Sequence, residues 1–417
     1  MKKGIVLFLG ALRHGEFESL LGRGIPCGAL IDSNTKLHLP DLVRFQVVER
    51  FDFLRPETEL LGKLQEIQAK WGLRCLINVV EHYVAVFARL APELGVRGIS
   101  QCSAQLCLDK LAMRQRFLER IGPQATGRFQ EVQTEEQLRA FAAQVGFPLV
   151  LKPTNLSASL FISLNHTLDE LLASYRRLVA EVPRYYQQAA QKGKKLTIQV
   201  EEFMAGSNHS IDCWVDGAGH ISATPVVDVL SGADVGIDDF HHFARITPSH
   251  LSREEQAEAS RLAIAGAQAL DMSTVIGHVE FIQTPTGPKL LEIGARPGGN
   301  RIRILEMTYG IDQIFAYYQI LCAQSPAVQP EKEQPSAIVT PFPRHQGVLQ
   351  SFRDLDRLQK LPTYLYHEVR GRVGQTVGLA KDGYKAPLYI ELTAPTRDEV
   401  RRDVDQIASW ADLMVVQ

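Results

Sequence analysis

The sequence predicts an α/β protein in three parts: a parallel-sheet domain over residues 1–100, a larger mixed region over 101–325 and a small α/β unit over 336–417. Three observations predict it. A chain of 417 residues is too long for one ordinary core. Its first hundred residues alternate short apolar runs with polar helical stretches, the pattern of a parallel sheet. A segment from Gln324 to Pro335, with Pro326, Pro330 and Pro335 among polar residues, reads as a linker.

Taken in order, residues 4–10, Ala29–Asp32 and Cys75–Val80 are expected strands. Ser103 is a good N-cap for a helix over Ala104–Ile121, which Gly122-Pro123 stops and which carries Lys110. Thr134 and Gln137 form a capping box for a helix that Gly146 closes, before a strand over 147–153 that contains Lys152. An amphipathic helix around 168–190 precedes strands over 196–203 and 210–215, with Gly206 in the turn between them. Residues 228–250, with Gly232, Gly236 and Pro248 among acids and histidines, read as a long loop. Ser252 and Glu255 cap the next helix, a hairpin follows, then a helix over about 302–323, and Thr396 with Glu399 caps the last one. No internal repeat or low-complexity tract is present in the sequence.

Bulk properties narrow the function. A net charge of -2 gives no basic excess for nucleic acid, and no apolar run approaches the ~20 residues of a membrane span. Met1-Lys2-Lys3 and the short apolar run after it read as a buried first strand rather than a secretion signal. The six cysteines lack zinc or disulfide-scaffold spacing, which fits a reducing cytoplasm; Cys102 and Cys107 read as small hydrophobes, not a redox pair.

The chemistry concentrates in one stretch. Two β-rich runs, 278–283 and 289–294, flank the turn Thr284-Pro285-Thr286-Gly287-Pro288 and predict an antiparallel hairpin. If Gln283 faces Lys289, Glu280 faces Glu292. Directly paired residues have Cβ atoms ~4.5–5.5 Å apart, so two carboxylates repel unless a cation lies between them; hard oxygen ligands at that spacing suit Mg²⁺ shared with phosphate. A polar, solvated hairpin face is the plain alternative. Arg296, four residues beyond Glu292, is followed by Gly298-Gly299, which let backbone approach a ligand; a guanidinium there suits carboxylate or phosphate oxygens. Arg303, one helical step further, is a second candidate anchor for a substrate carboxylate. Lys110 and Lys152 taken singly read as ordinary solvated lysines, but Lys152 precedes Thr154-Asn155-Leu156-Ser157-Ala158-Ser159, a small-residue loop whose N–H groups and hydroxyls suit phosphates. His241 and His242 in the long loop, and His278 in the hairpin, are weaker candidates for substrate contact.

Asp109-Lys110, Lys152-Pro153, Glu201-Glu202-Phe203-Met204, Glu280 and Glu292-Ile293-Gly294-Ala295-Arg296, in this order and at these intervals, resemble the ATP-grasp superfamily. The resemblance covers about residues 100–325, and the flanking parts are similar in size to those of the L-amino-acid (dipeptide) ligases, the closest type among the carboxylate-amine ligases, and of biotin carboxylase. It implies an ATP-grasp fold with an N-terminal pre-ATP-grasp α/β domain and a small C-terminal α/β unit. It implies that Lys110, Lys152, Ser157 and Ser159 meet the ATP phosphates, and that the hinge Glu201, Glu202, Phe203 and Met204 meets the adenine. By the same resemblance Glu280 and Glu292 are expected to hold Mg²⁺, or Mn²⁺ in its place, and Arg296 to bind the acyl phosphate or the substrate carboxylate. Small-molecule carboxylates and amines are the implied partners, with neither nucleic acid nor membrane; a homodimer is compatible with the reading.

Three departures stand out. The phosphate loop is poor in glycine; the turn after the hinge reads Gly206-Ser207-Asn208 where an acid often binds ribose, leaving Asn208 or His209; and Gly294 stands where many members carry Asn. A biotin-carboxylase-like enzyme using bicarbonate is the enzymatic rival, disfavoured by the glycines after Arg296. A nucleotide-binding module without turnover is the other class.

Overall fold

The computed structural model describes residues 4–12, 17–35, 43–156, 160–188, 196–237, 239–410 and 412–417. The N-terminal domain is a four-stranded parallel sheet in the order Val47–Phe51, Cys27–Asp32, Ile5–Gly10, Leu73–Ile77. The strands Cys27–Asp32, Ile5–Gly10 and Leu73–Ile77 are near-continuous apolar runs because both faces are covered. The edge strand Val47–Phe51 is the element missing from the sequence reading; its Glu49 and Arg50 interrupt the apolar pattern.

The expected helix over Ala104–Ile121 is two helices. Gln101–Leu108 is capped by Ser100, not Ser103, and Lys110–Arg120 is capped by Asp109, whose carboxylate accepts from the N–H groups of Leu111 and Ala112. Asp109 is extended, so the break sets Lys110 at the first position of a new helix. A second, antiparallel sheet follows in the order Phe129–Val132, Ile198–Glu202, Leu149–Pro153, Ser163–Asn165. Helices Glu135–Val145 and Leu168–Gln188 cover it, and the Thr134–Gln137 capping box forms as its spacing requires.

The largest sheet has nine strands, running Gly287–Gly294, Val275–Thr284, Ser207–Val215, Val227–Ser231, His242–Thr247, Ser336–Val339, Leu388–Thr393, Tyr364–Val369, with Ile221–Ala223 beside Ser207–Val215. Two expectations change here. The stretch 228–250 is not one long loop: Val227–Ser231 and His242–Thr247 pair antiparallel, their β signal having been hidden by Asp, His and Gly at the connection. The C-terminal region continues this sheet rather than standing beside it, because Ser336–Val339 pairs with His242–Thr247. The helix expected over 302–323 also breaks, at Gly310 (φ 72°), into Arg301–Tyr309 and Gln313–Leu321. One apolar cluster joins the N-terminal sheet to the large one, through residues such as Phe8, Leu76, Phe87, Ile211, Val279 and Tyr317.

Candidate active site

Three adjacent strands of the large sheet set out the site in rows. Glu280 is registered with Ser210 on one side and Glu292 on the other; His278, two residues earlier, is registered with Asp212 and Gly294. Side chains two apart share a face, so Ser210, Asp212, His278, Glu280 and Glu292 all project the same way. The acids meet as expected, but not through the expected turn. Near the turn Ile282 pairs with Lys289 and Gln283 with Pro288; a β-bulge between Glu280 and Phe281 then shifts the register by one and restores the Glu280–Glu292 pairing.

Cations surround the two carboxylates. Lys110 Nζ lies 3.1 Å from Glu292 Oε2 and donates to the Leu156 carbonyl at 3.0 Å, at the start of the phosphate-loop candidate. Burial works against its charge, but Glu292, Glu81 and Glu280 together hold its pKa above the usual lysine value. His278 Nε2 lies 3.1 Å from Glu280 Oε1, and its Nδ1 lies 2.6 Å from Asp212 Oδ1. His242 Nε2 stands 3.8 Å from the same Glu280 oxygen; burial drives this imidazole down to about 3 although Glu280 pulls the other way. Glu280 is half-buried, which works against its charge, yet His242, His278 and Arg301 hold it well below the usual carboxylate range.

A second cluster sits on the smaller sheet. Lys152 and Glu201 are buried, and Lys152 Nζ lies 2.5 Å from Glu201 Oε1 while Arg114 Nη2 lies 3.2 Å from Oε2. Gln199 donates to Glu201 Oε1 as well. The carboxylate of the first hinge residue is therefore committed to its cations rather than open to adenine. Glu202 points outward onto Arg128 at 3.0 Å, and Phe203 and Met204 are half-buried beyond the strand end. Ser157 and Ser159 lie outside the described residues. Burial, with Arg114 and Lys110 nearby, lowers the Lys152 pKa against the pull of Glu201.

His209 is a correction. It alternates with Ser210 along its strand and so faces away from the glutamates, stacked on Phe281 at 5.3 Å and paired with Asp228 at 2.9 Å. Asn208, on the face of Glu280, is the residue of that turn that points toward the site. His241 is buried against Phe342 and away from the acids.

The arginines divide by partner. Arg296 Nε lies 2.9 Å from Glu81 Oε2 of the N-terminal domain, a residue the sequence reading passed over. That carboxylate oxygen is 2.8 Å from where a Cβ at Gly294 would stand, so the space of a side chain at 294 is filled by Glu81. Gly298 donates its N–H to Asp212 Oδ2 at 3.0 Å and lies so near the His278 ring that a Cβ there would overlap it. Arg303, contrary to expectation, is turned away: Glu391 takes its Nε and Nη2 at 2.9 Å each, and Glu306 takes Nη1 at 3.1 Å. Arg301 is the buried guanidinium beside Glu280, donating Nε to Ser210 Oγ at 2.8 Å. Two oxygen-ligand acids side by side, with Lys110 and Arg296 beside them, form a donor set suited to a hard divalent ion and phosphate oxygens.

Residues 145–303 match the family model of the ATP-grasp domain. That segment contains Lys152, Glu201, Glu280, Glu292 and Arg296, and the chain as a whole has the fold of a solved amino-acid ligase. Amino-acid ligases are among its relatives and structural neighbours. It is 23% identical over 395 residues to the alanine–anticapsin ligase of Bacillus amyloliquefaciens, covering 87% of this chain and 82% of that one. The crystal structure of an L-amino acid ligase from Bacillus licheniformis superposes with a TM-score of 0.79 at 16% identity, over 100% of both chains. A biotin carboxylase from Campylobacter jejuni shares the fold too, with a TM-score of 0.72 at 14% identity over 100% of this chain and 92% of that one. Fold alone therefore does not choose between ligase and carboxylase.

Proposed function

We propose that the protein is an ATP-dependent carboxylate-amine ligase that joins amino-acid substrates through an acyl phosphate. The observation that carries this reading is the pairing of Glu280 with Glu292 on one sheet face, with Lys110 on the second acid. Bound between these acids, Mg²⁺ or Mn²⁺ would screen the phosphate charge that otherwise repels an attacking carboxylate. Lys110 and Lys152 orient the β- and γ-phosphates, each fixed by a glutamate so that little ordering remains for the moment of reaction. The segment Glu202–Met204 forms the adenine edge through backbone groups, and Asn208 meets the ribose. Arg296, held by Glu81, stands beside the acids to neutralise the acyl phosphate as the amine displaces phosphate.

The alanine–anticapsin ligase relative supports amino acids as both acid and amine, and the glycines 298 and 299 support it over a bicarbonate site. The test is phosphate release from ATP with amino acids singly, in pairs, and with bicarbonate, followed by mass measurement of the product. Phosphate released only with a pair, and a product equal to their sum less water, supports the ligase. Bicarbonate dependence, or tight nucleotide binding without turnover under every pairing, removes it.

A further inference from the structure

We propose that Arg301 is the anchor for the α-carboxylate of the acceptor amino acid, the substrate whose amine attacks the acyl phosphate. The inference rests on the ligase reading and deepens it: the acceptor is an amino acid with a free carboxylate rather than a simple amine.

The arginines near the acids differ in what remains for a ligand. Arg303 is held on three of its donors by Glu391 and Glu306. Arg114 is locked to Glu201, and Arg296 is held by Glu81 and donates Nη1 to the Pro297 carbonyl at 3.1 Å. Arg301 is 2% exposed, and its Nη2 is buried with no hydrogen-bond partner among the described residues. A guanidinium N–H out of water and without an acceptor is costly, and a bidentate carboxylate is the group whose geometry matches it.

Its position selects the ligand. The row Ser210–Glu280–Glu292 has Lys110 at the Glu292 end and Arg301 at the Ser210 end. Neighbouring strands are about 4.8 Å apart, so two strand spacings put the ends roughly 10 Å from each other. Lys110 marks the phosphate end, which leaves Arg301 on the acceptor side of the acids. Arg301 also opens the nine-residue helix Arg301–Tyr309, whose N-cap Asn300 makes no side-chain cap, so the N-terminal end of the helix dipole adds positive potential at the same place.

The experiment compares acceptors that differ only at the carboxylate, alanine and alaninamide, with one donor acid, by steady-state phosphate release. Arg301→Met should raise KM for alanine by about 30-fold or more while KM for alaninamide and for MgATP changes less than about threefold. Arg301→Lys should recover part of the alanine KM. Because Arg301 is buried, nucleotide affinity is measured on each variant, and Ser210→Ala gives a second reading: it frees Nε, leaves the charge in place and should raise KM for alanine but not for alaninamide. Equal losses for both acceptors in the Met and Ser210→Ala variants, or no loss in either, overturn the subsite while leaving the ligase intact. A wild-type protein that releases no phosphate with any amino-acid pair overturns the ligase reading and the subsite with it.

Discussion

Individual side chains decide the chemistry, and two of them give sharp tests. Glu292 shares its face with Glu280 and its charge with Lys110. Replacing it by Gln keeps shape but removes an anionic ligand, so Mg²⁺-dependent phosphate release should fall by about 10²–10³-fold with the thermal transition unchanged. Full activity in Glu292→Gln would reject the metal assignment. Gly294 tests its neighbour: an alanine Cβ would stand 2.8 Å from Glu81 Oε2, and the glutamate must move off Arg296. Since the atom displaced is the end of a flexible side chain, Gly294→Ala should change stability by less than about 1 kcal/mol. Turnover should nonetheless drop roughly tenfold, a loss of about 1.4 kcal/mol of positioning, read as kcat against Tm. At this scale the sequence is only partly legible. Lys110, Lys152 and the paired acids stand out by type and spacing, but nothing local tells that Arg303 is claimed by Glu391, 88 positions later, while Arg301 is not. Glu81 was invisible for the same reason, since it reaches the site from a different domain.

Elements held by local signals were the readable ones. Thr134–Gln137, Ser252–Glu255 and Thr396–Glu399 all form reciprocal capping boxes, because the hydroxyl and the acid or amide need only the three-residue spacing that the sequence displays. The strands of 227–247 were not, because their pairing depends on Ser207–Val215 and Ser336–Val339 rather than on their own composition. One buried acid staples these elements. Asp228 on Val227–Ser231 accepts from Ser249, from the His250 N–H at 2.8 Å and from Arg397 of the last helix at 2.6 Å, and it pairs with His209 at 2.9 Å. Although His209, Asp228 and His250 bring ligand atoms within 4.8 Å of one another, the guanidinium and hydroxyl already on the carboxylate make the group a staple. Burial pushes the Asp228 carboxyl up, but His209, His250 and Ser249 more than offset it and hold the carboxyl below its usual range. A carboxylate depressed in the folded state stabilises the protein above its unfolded pKa of about 3.9, and that contribution fades as pH falls below it. Thermal melts should therefore show a Tm falling steeply below about pH 4. Asp228→Asn should lose about 3–5 kcal/mol at neutral pH, because Arg397 keeps its charge without a partner, and should show a shallower acid limb. An unchanged acid limb would mean that other carboxylates set it.

Over the whole molecule, the parallel first sheet was visible in composition, but the seam expected at the Pro-rich segment is not where the large sheet ends. Phe243, Ala244 and Ile246 of the strand carrying His242 share an apolar cluster with Leu388, Ile390, Leu392, Val400 and Val404. A chain ending at residue 335 would strip that cluster and leave His242–Thr247 as an open apolar edge. Such a truncation should aggregate on size-exclusion chromatography; a soluble species with its own cooperative melt would show that the segment after residue 335 is dispensable. Among the described residues no helix is long and apolar enough to cross a membrane. The unbroken ladder from Gly287–Gly294 to Tyr364–Val369 also bears on engineering. Grafting the final eighty or so positions from a relative, as one would exchange a detachable module to alter specificity, replaces the strand hydrogen-bonded beside His242 and the glutamate that restrains Arg303. Chimeras cut at that seam would perturb the reaction chamber even where no grafted atom touches a substrate.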